Sequence, residues 1–444
     1  MKRIRLHRLG LIAALSLPLM QSQDGRVSAE QLPAPATTGG QVIQARSFLG
    51  GLGVNAHVSW PDHAPYSATD RVVGAMAYLG VRNLRDYVNS STFPVFERLA
   101  AAGVSYNLLL NPKVGLNNYI GWARRLEATY PGSVVALEGP NEVDKWPVEF
   151  VGLSGFEAAT ATQKALYRAS KADAVLRNVP VYNLTVSGIS RPNSKAVGDL
   201  SAYADYATVH PYYRAGQQSW GHSLWDTRYT LKNYLASARW SAPGRPVAVT
   251  ETGSSTSPGS AIGVNEDVQA KQILNSLFSN AKHGVRATYI YELANSHDAG
   301  PKDIESHYGL FRYNWTPKPA AHALHNLTRI LGGANQDGQR RQNAGPSPRY
   351  TLSGMPATGS SLVLVEDNGT YNLVIWAEPD PWDEDANRPI AAEPVTVQVG
   401  LAATYRSIGV YDPMAGKTPL RTLGPTNKVT ISLTDHPIIL KLAR

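Results

Sequence analysis

The chain has 444 residues, 43% of them apolar and 17% charged, with 22 Tyr, 9 Trp and no Cys. That share of apolar side chain fills a large core and excludes a disordered chain, and the absence of thiols excludes disulfides, thiolate catalysis and cysteine-ligated metal. The formal net charge is +8, without the Lys/Arg cluster that a nucleic-acid track needs, so a nucleic-acid partner is not expected.

At the start, MKRIRLHR is a basic n-region and LGLIAALSLPLM an apolar run, and VSA, ending at Ala29, is a small-residue cleavage site. The apolar run is too short to span a bilayer and Pro18 interrupts it. Residues 1–29 are therefore predicted to be a signal peptide, and the protein to be exported, periplasmic or extracellular. Cleavage there removes five basic residues and one acid and leaves a net charge of +4. That charge permits an acidic polysaccharide partner without singling one out. No other run approaches the roughly 20 apolar residues of a membrane helix, so no stable membrane insertion is expected. Residues 30–47, beginning with the Pro/Ala/Thr/Gly-rich QLPAPATTGGQ, read as a flexible lead-in.

From residue 48, short apolar runs alternate with helical patterns. Strands are predicted at 52–58, 81–87, 104–111, 133–139, 179–188, 203–212, 245–251 and 285–293. Helix patterns include 70–80, 93–103, 118–130, 160–178, 268–284 and 318–333, several closing on Gly. Eight strand–helix units over residues 48–334 predict a (β/α)8 barrel. An open doubly wound sheet is the competing architecture, but the glycines of GGLGVN precede the first strand instead of following it as a phosphate loop would. Residues 335–348 form a polar connection. After it, LVLVEDNGTYNLVIWAE is an alternating hairpin around Asp367-Asn368-Gly369, and further strand patterns follow with no helix between them. Residues 345–444 are thus expected to form a small antiparallel β-sandwich.

In such a barrel the chemistry sits at the C-terminal ends of the strands. Those ends carry His57, Arg85, Asn141-Glu142, His210 and Tyr212, Glu251, and Tyr291-Glu292 in turn. Glu142 after strand four and Glu251 after strand seven face each other across a barrel. Two carboxylates that flank a glycosidic bond can hydrolyse it, one protonated for the leaving oxygen and one ionised as nucleophile or base. Arg85 and Tyr212 are the natural groups to keep one of them ionised. Trp60 and Trp146, with Trp220 and Trp225, lie in loops on the same face and offer flat surfaces to sugar rings. Glu138 is expected deeper in the barrel with a charge partner. Glu292 reads either as a partner of Arg85 or as a sugar ligand. His57 and His210 read either as hydrogen-bonded core residues or as sugar ligands. Nothing in their spacing supports a metal site, and no cofactor is expected.

These motifs resemble the clan A glycoside hydrolases, retaining barrels with their carboxylates on strands four and seven, and among them families 39 and 5 most. LEGPNEVD is similar to the strand-four motif, which implies Glu142 as acid/base and Asn141 as a sugar 2-hydroxyl ligand. VTETG is similar to the strand-seven motif, which implies Glu251 as nucleophile. LGVRNLRDY, VHPYY and HYGLFRYNWTPKPAAHAL resemble the segments that carry the supporting Arg, the strand-six His/Tyr element and the closing helix. The sequence departs from the clan at Pro140 and Val143, where Trp and Pro are common, and at Tyr291, where a Trp is common. The resemblance implies an exported retaining hydrolase of a polysaccharide or oligosaccharide. A non-catalytic carbohydrate-binding barrel and an exopolysaccharide transglycosylase are the alternatives.

Overall fold

The computed structural model of the protein describes residues 42–60, 64–220, 228–332 and 347–443. The expected signal peptide, the lead-in as far as residue 41, Trp225 and most of the polar connection lie outside the described residues.

Eight strands form one parallel sheet: β1 (Leu52–Asn55), β2 (Asn83–Tyr87), β3 (Ser105–Leu109), β4 (Val134–Glu138), β5 (Val181–Tyr182), β6 (Ala207–Val209), β7 (Val247–Thr252) and β8 (Ala287–Ile290). Their spatial order is β5-β4-β3-β2-β1-β8-β7-β6. A parallel bridge between Tyr182 and Tyr206 joins the two ends, so the sheet closes into a barrel. Helices follow the strands in turn: α2 (Thr69–Leu79), α3 (Phe93–Ala101), α4 (Leu116–Thr129), α5 (Gly155–Ala172), α6 (Arg191–Val197), α7 (Leu231–Ser241), α8 (Glu266–Lys282) and α9 (Pro319–Ile330), while α1 (Ala45–Gly50) precedes the barrel. This is the (β/α)8 architecture read from the sequence. The patterning did not single out α6 and α7. Each is started by a hydroxyl side chain that takes a backbone N–H in its first turn, Ser190 from Asn193 and Thr230 from Asn233.

Two boundaries differ for physical reasons. The predicted helix 160–178 spans Gly155–Ala172 instead. Asp173 ends it by accepting the backbone N–H groups of Val175 and Leu176, which starts a new turn. The long strand predicted over 179–188 shrinks to Val181–Tyr182. The backbone beyond it turns away from the sheet to pair with the loop after β4, Val143 N with Thr185 O at 3.0 Å and Thr185 N with Pro140 O at 3.1 Å.

The C-terminal part is an antiparallel β-sandwich. One sheet holds β10 (Gly359–Val365), β11 (Tyr371–Ala377), β13 (Ser407–Tyr411), β14 (Arg421–Leu423) and β16 (Ile438–Ala443). The other holds β9 (Tyr350–Ser353), β12 (Val395–Tyr405) and β15 (Thr426–Leu433). The hairpin around Asp367-Asn368-Gly369 is β10 with β11. The lead-in reading needs a correction. Residues 42–47 are ordered: Val42–Gln44 pairs in parallel with Val363–Val365 at the sheet edge, and α1 begins at Ala45. The Pro/Gly bias stops at Gly40, and the β-branched pair Val42-Ile43 suits an edge strand.

Strand β11 is buried on both faces. Tyr371, Leu373 and Ile375 enter the sandwich core, while Val374 and Trp376 pack with barrel residues such as Phe278. The polar face of α8 is buried as well, because the sandwich covers it. Asn275 donates to Asp435 O at 2.9 Å, and Lys271 pairs with Asp435 at 2.8 Å. Beside them, His436 lies 3.0 Å from Asp435 and 3.2 Å from Asp412. Burial would lower the His436 pKa, but hydrogen bonds and charge from the two aspartates push it up to about 9 from 6.5. A folded-state pKa above the unfolded one stabilises fully below pH 6.5 and loses that effect as pH rises through about 9. The contribution is no more than about 3 kcal/mol. Denaturant unfolding at intervals from pH 6 to 10 is expected to show a loss of stability in wild type that His436→Asn lacks; parallel curves would rule this out.

Candidate active site

Asn55, Arg85 and Asn107 are register partners on β1, β2 and β3, so they form one polar layer inside the barrel. Glu138, at the end of β4, is fully buried in that layer. The Arg85 guanidinium meets it bidentately, Nε to Oε2 and Nη2 to Oε1, both at 2.8 Å. The other donors of Arg85 reach Asn55 Oδ1 at 2.8 Å, Asn141 Oδ1 at 2.7 Å and Glu251 Oε1 at 2.7 Å. Burial would lower the Arg85 pKa, but Glu138 and Glu251 more than reverse that and lock the cation charged. A planar fork with five donors suits this place, and a lysine would not reach all four partners.

Glu251 therefore has an ion pair on one oxygen. On the other it accepts the Tyr212 hydroxyl at 2.8 Å. Tyr212 is held beside β7 by a backbone bridge to Gly253.

Glu142 follows β4 by four residues and has φ 38°, a left-handed conformation that side-chain-bearing residues rarely adopt. The surroundings over-determine it: its N–H donates to Thr185 Oγ1 at 2.9 Å, and its carbonyl accepts from Lys145 N at 2.8 Å and Trp146 N at 2.9 Å. Gly139 is needed just before, because a Cβ there would collide with Gln163 and the backbone of Leu184. The Glu142 carboxylate is buried, with Oε1 3.1 Å from His210 Nδ1 and Oε2 2.9 Å from Lys145 Nζ. Burial alone would raise its pKa, but hydrogen bonding and charge from His210 and then Lys145 bring it to about 2.

His210 sits between the acids, with Nδ1 also 3.5 Å from Glu251 and Nε2 2.9 Å from Thr250 Oγ1. With two carboxylates as neighbours, Nδ1 carries the proton. One ligand atom each from Glu142, His210 and Glu251 lie within 4.8 Å of one another, so these three could hold a divalent cation. Their present contacts already account for every one of those atoms.

A second cluster forms one wall. His57 Nε2 lies 3.1 Å from the Tyr291 hydroxyl and 3.2 Å from Glu292, which also accepts from Tyr66 at 3.1 Å. Burial would lower the His57 pKa; the hydrogen bond and charge of Glu292, with Asp86 and Glu251, leave it raised. Trp60 stacks on His57 with ring centroids 4.4 Å apart and stays partly exposed. Trp146 is 65% exposed beside Lys145.

Among solved structures, a family 39 glycoside hydrolase from the gut symbiont Bacteroides cellulosilyticus WH2 matches with a TM-score of 0.61, covering 90% of this chain and 82% of its own, at 14% identity. The fold resembles that of a family 39 glycoside hydrolase. A glucosidase from Croceicoccus marinus matches with a TM-score of 0.57 over 84% of this chain and 92% of its own, at 10% identity. No protein-family model matches the chain, and no curated protein sequence matches it. The likeness to family 39 is one of fold.

Of the residues picked out in the sequence, Glu142, Glu251, Asn141, Arg85, His210 and Tyr212 come together directly. His57, Tyr291 and Trp60 form the adjoining wall. Glu292 differs from one expectation: its partners are His57, Tyr66 and Ser296 N, and Arg85 pairs with Glu138 instead. Trp220 stacks on His283 at 3.5 Å, and its backbone N–H donates to Glu378, so it joins barrel to sandwich. Sequence reading missed Asn55, Tyr66 and Lys145. The strand period could have flagged Asn55 two strands from Asn107; Tyr66 comes from a loop turn, Ala64–Ser67, with no pattern to betray it.

Proposed function

We propose that the protein is a retaining glycoside hydrolase that cleaves O-glycosidic bonds in a polysaccharide or oligosaccharide. The observation that carries this reading is the approach of the two acids, with oxygens of Glu142 and Glu251 within 4.8 Å of each other in one buried site. Retaining enzymes hold their carboxyl groups about 5–5.5 Å apart, whereas inverting ones leave about 6.5–9.5 Å for a water.

The two acids have different neighbours, and in this reading different roles. Glu251, held by the Arg85 cation and the Tyr212 hydroxyl, suits the ionised nucleophile. Glu142 takes the acid/base role, and its His210 and Lys145 contacts, which favour the carboxylate in the free site, have to loosen for it: it gives its proton to the leaving oxygen as Glu251 bonds to the anomeric carbon and the glycosidic C–O bond breaks. The resulting carboxylate then takes a proton from water, which attacks the same carbon and frees Glu251. Asn141 spends its oxygen on Arg85, so its Nδ2 can donate to a sugar hydroxyl beside Glu251. In this reading Trp60, Trp146 and Tyr291 pack against sugar rings, and residues 1–29 direct export.

Glu142→Ala tests the assignment. It is expected to stop turnover of glycans while 2,4-dinitrophenyl glycosides, whose leaving group needs no acid, still react in a burst. Added azide then yields a glycosyl azide of retained configuration. Equal losses on activated and natural substrates, with no azide product, would remove Glu142 from the acid/base role.

A further inference from the structure

Lys145 is tied to the turn of Glu142 by its backbone N–H and returns its ammonium to Glu142 Oε2 at 2.9 Å. The two ends of this ion pair differ: the Lys145 side chain is 58% exposed and that of Glu142 9%. Lys145 therefore stands on the solvent side of the carboxylate that faces the leaving group in the hydrolase reading. A general acid must carry a proton, and an ammonium bonded to it favours the opposite form. His210 on Oε1 and Lys145 on Oε2 both favour the carboxylate, and of the two only Lys145 stands in solvent, where a ligand can draw it off.

The protein offers no exchange partner among the described residues. The other carboxylates whose charge reaches Lys145 are Glu251, Asp144 and Glu305. Glu251 is occupied by Arg85 and Tyr212. Asp144 is occupied by Ser187 N at 2.8 Å, Ser187 Oγ at 2.7 Å and Asn193 Nδ2 at 3.0 Å. Glu305 is pushed toward its neutral form, by burial first and then by Glu251, Glu292 and Asp303. The hydroxyls of a neutral sugar compete poorly with a carboxylate for an ammonium, whereas an anionic substituent competes well. Lysine suits such an exchange, being a point charge on a flexible stem. A second exposed cation, Arg214, follows Tyr212 and Tyr213 and makes no ion pair among the described residues. Its charge reaches Tyr308, whose ring packs on Tyr212 and Tyr291.

We propose that the substrate bears an anionic group, a carboxylate or a sulfate ester, on the sugar at the leaving-group side, and that this group draws Lys145 off Glu142. The proposal rests on the hydrolase reading of the site. It couples specificity to chemistry: the anion binds Lys145, and Glu142, now unpaired on that oxygen and covered by substrate, takes a proton from solvent.

The test uses the full chain with Glu251→Gln, so that ligands survive, with and without Lys145→Ala. The probes are cello-, galacto- and manno-oligosaccharides, each beside its C6-carboxylated and 6-sulfated counterparts, titrated calorimetrically at low ionic strength. An anionic member is expected to bind about tenfold or more tighter than its neutral partner, and Lys145→Ala to remove that preference. The arm that responds tells carboxylate from sulfate. Equal binding within every pair, or a preference that survives Lys145→Ala, would overturn the proposal. Turnover with Glu251 restored separates the two readings. Cleavage without an anion preference keeps the hydrolase and rejects the anion site. A Lys145-dependent preference with no cleavage of any glycan keeps anion binding and rejects the hydrolase.

Discussion

Replacing Glu251 with alanine is expected to lower turnover of the natural glycan by about 10⁴-fold or more, with the fold intact. The second half of that expectation follows from the polar layer. Arg85 keeps Glu138, Asn55 and Asn141 when Glu251 is removed, so its buried charge stays paired. The Glu251 side chain is 11% exposed, so a small anion can reach the space that its removal leaves. Azide should therefore recover part of the activity on activated glycosides, and its product should have inverted configuration because only one displacement occurs. Wild-type rates in Glu251→Ala would show that the nucleophile lies elsewhere.

Arg85→Ala is expected to be damaging in a different way. It strands Glu138, a fully buried carboxylate, and removes the cation that faces Glu251. Breaking a buried ion pair by deleting one partner costs about 3–5 kcal/mol. Chemical unfolding should show that loss, and activity should collapse with it. Arg85→Met combined with Glu138→Leu separates the two effects. Removing both charges should return most of the stability, because an apolar pair of similar volume fills the layer without a desolvation cost. Activity should stay lost, since Glu251 still lacks its cation. Recovery of activity in the double variant would mean that Arg85 acts only as a structural partner.

The sequence carried the barrel because eight β-branched runs alternate with helical periods, and that signal survives wherever a strand is apolar on both faces. It carried Glu142 and Glu251 because Glu142 comes four residues after such a run and Glu251 near the end of one. It could not carry their contacts. Lys145 is an ordinary exposed residue until the left-handed turn at Glu142 brings it back onto the carboxylate. Glu138 and Arg85 stood in the sequence as two separate charges, 53 positions apart; only the barrel, which brings β2 and β4 to either side of β3, makes them a pair. Tyr66 and Glu292 are 226 positions apart and meet through a loop that has no period to read. The buried polar face of α8 misleads in the opposite sense: Gln269, Gln272 and Asn275 look solvent-facing, but the first two bond to barrel-loop carbonyls, at Ser254 and Tyr308 and at Gln217, and Asn275 to the sandwich at Asp435.

In the proposed mechanism Glu251 attacks the anomeric carbon and water then displaces it, two inversions in sequence. Proton NMR of the first product, taken before mutarotation, reads this directly on whichever glycan the protein cleaves. The new reducing end is expected to have the same anomeric configuration as the bond that was broken. The opposite anomer would mean a single displacement by water, and Glu251 would then be a base and not a nucleophile.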